Sequence, residues 1–186
     1  ADVVLLFVTG PHTESMPDMA EAVRAILEPG SFIGTTAVGV IGGRSEVEDI
    51  PAVSIWAGRT GPAEAVRLEV VHSPDGTAVI GMPDDAAVGR RTLILLAEPH
   101  SFPTEAFVRA SNEQYPNLTV IGGMASAGGM GANRLVVQAE LHGEGAVGVL
   151  LPEGSDDTVV VSQGCRPVGD PYIVTASEQN LVHQLA

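Results

Sequence analysis

Short apolar runs alternate with turn signals along most of this chain. Residues 3–8 and 92–97 are almost wholly apolar and short, the pattern of strands buried on both faces. Each is followed by a loop, then a helical stretch, then a second apolar run, "SFIGTT" (31–36) or "LTVIGG" (118–123). In the first helical stretch Met16, Met19, Val23, Ile26 and Leu27 fall on one face at helical spacing. The second is expected over 103–114. Thr13 and Ser101 stand where N-caps are expected, each with a proline in the following turn. Pro29-Gly30 and Pro116 stop the two helices.

The two blocks are copies of one pattern. Residues 5–37 and 93–125 align without a gap at an offset of 88, matching Pro11 to Pro99, His12 to His100, Ile33 to Ile121, Gly34 to Gly122 and Ala37 to Ala125. A glycine-rich stretch follows each copy, 37–44 and 125–134. Further strands are expected at 52–58, 65–72, 134–142, 146–151, 157–164 and 171–175. Gly143-Glu144-Gly145 reads as a hairpin between 134–142 and 146–151, and 177–185 reads as the start of a helix. The expected architecture is a strand-rich, layered α/β fold. It has two pseudo-equivalent β-α-β halves, about 1–88 and 89–186, with mixed sheets flanked by helices in one domain.

Composition narrows the function. Of 186 residues, 23 are acidic and 9 basic, for a net charge of −14. That field repels phosphate backbones and anionic headgroups, so nucleic-acid and membrane partners are not expected. All the basic residues are arginine, which removes Schiff-base chemistry and a P-loop lysine. No apolar run approaches the ~20 residues of a membrane span. The chain opens on Ala1 rather than Met, and a fragment or processed product is expected. A single cysteine, Cys165, rules out an internal disulfide and a CxxC metal site, and implies a cytoplasmic setting.

Candidate chemistry collects at a few places. His12 and His100 follow equivalent strands, where α/β folds place ligand groups. They could share a metal or haem, or simply pack at the strand-to-helix turns. The stretch 122–134 fails the P-loop pattern. It also fails the nucleophile elbow around Ser126, because Met124 stands where glycine is required. It either wraps a small polar ligand in backbone N–H groups or allows close strand packing. Cys165 has no histidine within seventeen residues on either side, so a nucleophilic role needs a base from elsewhere in the fold. Ser162, Gln163 and Arg166 offer hydroxyl, amide and guanidinium groups suited to a carboxylate or amino-acid-like ligand, with Arg166 the anchor. Gly122, Gly123 and Ser126, with Thr35 and Thr36 in the first copy, complete the candidate binding set.

Several stretches together resemble the N-terminal FIST domain, the module named for F-box and intracellular signal transduction proteins. They are "DVVLLFVTGPH", "FIGTTAVGVIGG", "GGMASAGGMGANRLVV", "GEGAVGVLL" and, most specifically, "VVSQGCRPVGDPYIVT". Ser162, Gln163, Gly164, Cys165, Arg166, Pro167 and Gly169 match the family's Ser-Gln-Gly-Cys-Arg-Pro-x-Gly stretch. The resemblance implies an intracellular small-ligand sensor, with amino acids suggested as ligands and haem reported for some members. It also implies a second, C-terminal FIST domain or another signalling partner. It transfers no catalytic residues, and so favours binding over enzymology. The competing readings are a haem-binding sensor, a thiol hydrolase or transferase built on Cys165, and a protein-interaction scaffold.

Overall fold

The computed structural model describes residues 1–48, 50–74, 76–128, 131–161, 167–178 and 181–186. The first half opens with β1 (Val3–Thr9), a 3-10 turn over Gly10–Ser15, α1 (Met16–Leu27) and β2 (Ser31–Ala37). Two short strands, β3 (Gly39–Gly42) and β4 (Ser45–Glu48), pair with each other, and β5 (Val53–Gly58) returns antiparallel to β1. A long ribbon follows, β6 (Glu64–Ser73) with β7 (Gly76–Ile80). The second half repeats the opening order with β8 (Arg91–Ala97), α2 (Thr104–Gln114) and β9 (Leu118–Met124). Then come β10 (Leu135–Val137), β11 (Glu140–His142), β12 (Ala146–Leu150), β13 (Val174–Glu178) and β14 (Leu181–Leu185).

Two five-stranded mixed sheets result, ordered β11-β10-β2-β1-β5 and β7-β6-β12-β8-β9. In each, a strand–helix–strand unit supplies a parallel pair, β1 with β2 and β8 with β9. Pleating explains why β1 over 3–8 and β8 over 93–97 are apolar at every position, since successive side chains serve different cores. Val4, Leu6 and Val8 pack with Met16, Ala20 and Val23 of α1. Leu93, Leu95 and Ala97 pack with Phe107 of α2. Val3, Ile33, Leu96, Val147 and Val149 form a third core between the sheets. The layers therefore run helix, sheet, sheet, helix, the layered α/β architecture expected from the sequence.

The faces refine the internal alignment. Leu6 packs beneath α1, whereas Ile94, its partner in the gap-free alignment, packs between the sheets. A one-residue slip in a strand exchanges its faces. Matching by face pairs Leu6 with Leu95, one residue beyond the gap-free offset. The ladders agree, because β1 sets Val3 opposite Ser31 while β8 sets Thr92 opposite Thr119.

Other sequence expectations are corrected. Residues 177–178 and 181–185 are strand rather than helix; β13 and β14 pair antiparallel in a sheet of their own, with Glu178 opposite Leu181. The apolar positions Leu181, Val182 and Leu185 suit either period, and the neighbouring strand decides. Of the expected strand 157–164, residues 157–161 lie in irregular chain, without a ladder partner among the described residues. The strand expected at 171–175 starts only at Val174. The run 134–142 is two strands, folded back where Gln138 takes a φ of 51°. Gly143–Gly145 then carries the chain from one sheet to the other, and is not a hairpin. Ile26 is 78% exposed, so the buried stripe of α1 is Met16, Ala20 and Val23. Thr13 lies in the 3-10 turn, and α1 starts at Met16 without a side-chain cap.

Candidate functional site

The chemistry gathers where β8 ends. Glu98, 2% exposed, begins the loop to α2. Its Oε2 accepts the backbone N–H groups of His100 (2.9 Å) and Ser101 (2.8 Å) and the Ser101 hydroxyl (2.8 Å). Its Oε1 accepts the side-chain amide of Asn133 (3.1 Å). Ser101 is therefore not the helix cap that its position suggests, because a carboxylate is the stronger partner for its hydroxyl. Burial alone pushes the Glu98 carboxyl up. The bonds from Asn133, Ser101 and the two backbone N–H groups outweigh it and hold the group below the usual carboxylate range.

This carboxylate ties three loops together. Ser101 Oγ accepts the N–H of Gly145 (2.9 Å), and Gly145 C=O accepts the N–H of Glu98 (2.9 Å). Asn133 is fully buried, and its Oδ1 accepts the N–H of Ala127 (3.0 Å). Residues 98–103, Ala127, Asn133 and 143–145 thus share one polar network.

A cleft of about 870 Å³ lies against two of these loops. β6 extends past the end of β12 and supplies Arg67, Glu69 and His72, and β7 adds Thr77. The loop before α2 supplies His100 and Ser101, and the crossing between sheets supplies His142 and Glu144. Arg67 Nη1 donates to the carbonyls of Leu68 and Ala146. Gly145 allows this close approach; its φ is 76°, and a Cβ there would fall on Arg67 Nη1. Arg67 Nε and His142 Nε2 are buried and have no hydrogen-bond partner among the described residues. A buried polar group left unpaired costs about 1–3 kcal/mol.

The residues singled out from sequence separate into groups. Ser162, Gln163, Cys165 and Arg166 lie outside the described residues. Thr35 and Thr36 are buried at the end of β2 and bond the backbone of Arg134; Arg134 N–H donates to Thr36 Oγ1 at 2.9 Å. Ser126 lies beside them, donating its N–H to Thr36 C=O (3.1 Å) and accepting the Val38 N–H on its hydroxyl (3.1 Å). Gly122 has a φ of 145° and no room for a Cβ, which would strike the Leu95 carbonyl. Close strand packing accounts for it. Gly123 is exposed, with open space around its Cβ position. His12 does not line the cleft that His100 lines. Among the described residues no group of three or more His, Cys, Asp and Glu is arranged to hold a metal.

Arg67, Glu98, Asn133 and His142 were not selected from sequence. Arg67 had one available signal, a cation among the apolar and acidic residues of β6; Glu98 binds the nearby His100 and Ser101 but reaches Asn133 only across 35 positions, and Asn133 and His142 acquire their roles through the fold.

The family model of the FIST N domain matches residues 2–186. The chain belongs to that family, whose members are sensory domains of signal transduction and are not known as enzymes. It is 38% identical over 184 residues to the uncharacterized protein Rv0628c of Mycobacterium tuberculosis, covering 98% of this chain and 48% of that one. It is 35% identical over 184 residues to the uncharacterized protein Mb0898c of Mycobacterium bovis, covering 98% and 47% respectively. The chain thus spans about half the length of these relatives. No solved structure matches it. Among the described residues no helix is long and apolar enough to cross a membrane.

Proposed function

We propose that this chain is a sensory module that binds a small ligand bearing a carboxylate, an amino acid or similar acid, and relays its occupancy to a partner or output domain. The observation that carries the reading is the cleft held by Glu98. Its walls, 98–103 and 143–145, are fixed to one another through Ser101 before any ligand arrives. Preorganised walls spare a ligand the entropy of ordering them. The same network reaches Asn133 and the glycine-rich loop, and Arg134 next to it bonds β2. That gives occupancy a contiguous route from one sheet to the other. Arg166, Gln163, Ser162 and Cys165 are proposed as a further wall of the ligand site, with the glycine-rich loop. The whole protein's partners are proposals of the same kind, a C-terminal FIST domain foremost.

A thermal-shift screen of the purified chain against amino acids, simple carboxylic acids and haem tests the reading. A ligand selective for the folded state raises the melting temperature. At least one carboxylate is expected to do so, and its effect is expected to fall in a Ser101→Ala variant. A screen in which haem alone stabilises the fold would favour a haem sensor instead.

A further inference from the structure

Arg67 and His142 reach the cleft from different sheets. Arg67 sits on β6 opposite Val147 of β12, and His142 ends β11 opposite Leu135 of β10. The guanidinium is only half committed. Nη1 is held by the carbonyls of Leu68 and Ala146, which fixes the plane of the group. Neither Nε nor Nη2 makes a hydrogen bond among the described residues, and Nε is buried. Those two nitrogens form the edge of a guanidinium that grips a carboxylate side-on with two parallel bonds. His142 lines the same cleft, and its Nε2 is buried. The Glu140 carboxylate stands 3.4 Å from it, without hydrogen-bond alignment. Native proteins pair nearly all their buried donors. Two residues from distant parts of the chain line one cleft, and each carries a buried nitrogen without a hydrogen-bond partner among the described residues, which an added acceptor would satisfy.

We infer that Arg67 and His142 anchor the anionic group of the cleft's ligand, and that this group is a carboxylate rather than a phosphate. The inference rests on the cleft being the sensory site. One cation and one imidazole supply the donors, while Glu69 and Glu144 line the same cleft and Glu140 stands 3.4 Å from His142 Nε2. A planar monoanion meets the fork and little repulsion. A dianionic phosphate carries twice the charge into an acidic cleft and meets more repulsion.

The test is nuclear magnetic resonance of the arginine Nε–H groups in the ¹⁵N-labelled chain, titrated with sodium acetate and, separately, with inorganic phosphate at matched ionic strength. The chain has nine arginines and no lysine, so the spectrum is sparse. The Arg67 Nε–H signal, identified by its loss in Arg67→Lys, is expected to move downfield saturably with acetate and much less with phosphate. His142→Leu is expected to weaken acetate binding about tenfold, the equivalent of one charge-assisted hydrogen bond. An Arg67 signal that stays still, or that drifts in step with the other arginines, overturns the anchor. A larger response to phosphate overturns the choice of carboxylate. If Arg67 is silent while an acid from the thermal screen still perturbs cleft amides, the anchor fails and the sensory reading stands. If Arg67 responds and no screened compound stabilises the fold, the anchor stands and the sensory reading fails.

Discussion

Asn133 donates its side-chain amide to Glu98 at 3.1 Å, and both residues are buried. They are separated by 35 positions and by α2 and β9. This one bond joins the wall of the cleft to the glycine-rich loop. Glu98 is charged and has no cationic partner among the described residues, so its hydrogen bonds alone compensate its burial.

Glu98→Gln should therefore destabilise the fold by about 1–3 kcal/mol at neutral pH, because the new amide faces the Asn133 amide donor to donor. Its effect should also depend on pH. The folded carboxyl titrates below the ordinary value of 4.5, so the unfolded chain binds its proton first as pH falls. The stabilisation is complete above that ordinary value and is lost as pH drops through the lower folded one. Denaturant unfolding across acid pH should show a shallower loss of stability in Glu98→Gln than in the unaltered chain. A parallel acid limb would show that Glu98 is not held charged.

Asn133→Ala should cost a similar amount, leaving Glu98 Oε1 and the Ala127 N–H without partners. The two substitutions share one bond, so their costs should not add. A double-mutant cycle by chemical denaturation should give a coupling of about 0.5–3 kcal/mol. Additive costs would mean that the bond carries no energy.

Two adjacent glycines should behave oppositely. Gly122→Ala would force a side chain onto the Leu95 carbonyl at a φ of 145° and should destabilise by well over 1 kcal/mol. Gly123→Ala enters open space and should change stability by less than about 0.5 kcal/mol. Thermal unfolding of the pair separates close packing from ligand contact as the reason for the first glycine.

Gly145→Ala should displace the Arg67 guanidinium, because the added Cβ would fall on Nη1 and press the Leu68 carbonyl. Reduced stability together with a shifted Arg67 Nε–H signal is expected. An unchanged arginine spectrum would place Arg67 elsewhere.

Much of the layout was legible in the sequence because its signals are local. The all-apolar runs at β1 and β8, the helical spacing of Met16 and Val23, and the proline stops each act over a few residues. The internal alignment predicts the order of elements but not the faces, since a one-residue slip costs little in an alignment of apolar runs and inverts every side chain. The Val159–Val161 run has strand composition but no ladder partner among the described residues, and composition cannot report that. The candidate site was the least legible. Glu98 and Asn133 look like ordinary loop residues until the fold brings them together, and Arg67 stands out only once its Nε is seen to be buried and unpaired. Thr35, Thr36 and Ser126 lie near one another, but their polar groups are taken up by backbone partners.

The central claim, that the cleft beside Glu98 receives a small acid, is tested most directly by mapping backbone amide shifts as the best carboxylate of the thermal screen is added. The account predicts that the largest changes fall in 99–103 and 141–145, with a smaller response carried to 126–128 and 131–134. Saturable changes confined to other surfaces, or no saturable change with any acid, would contradict it.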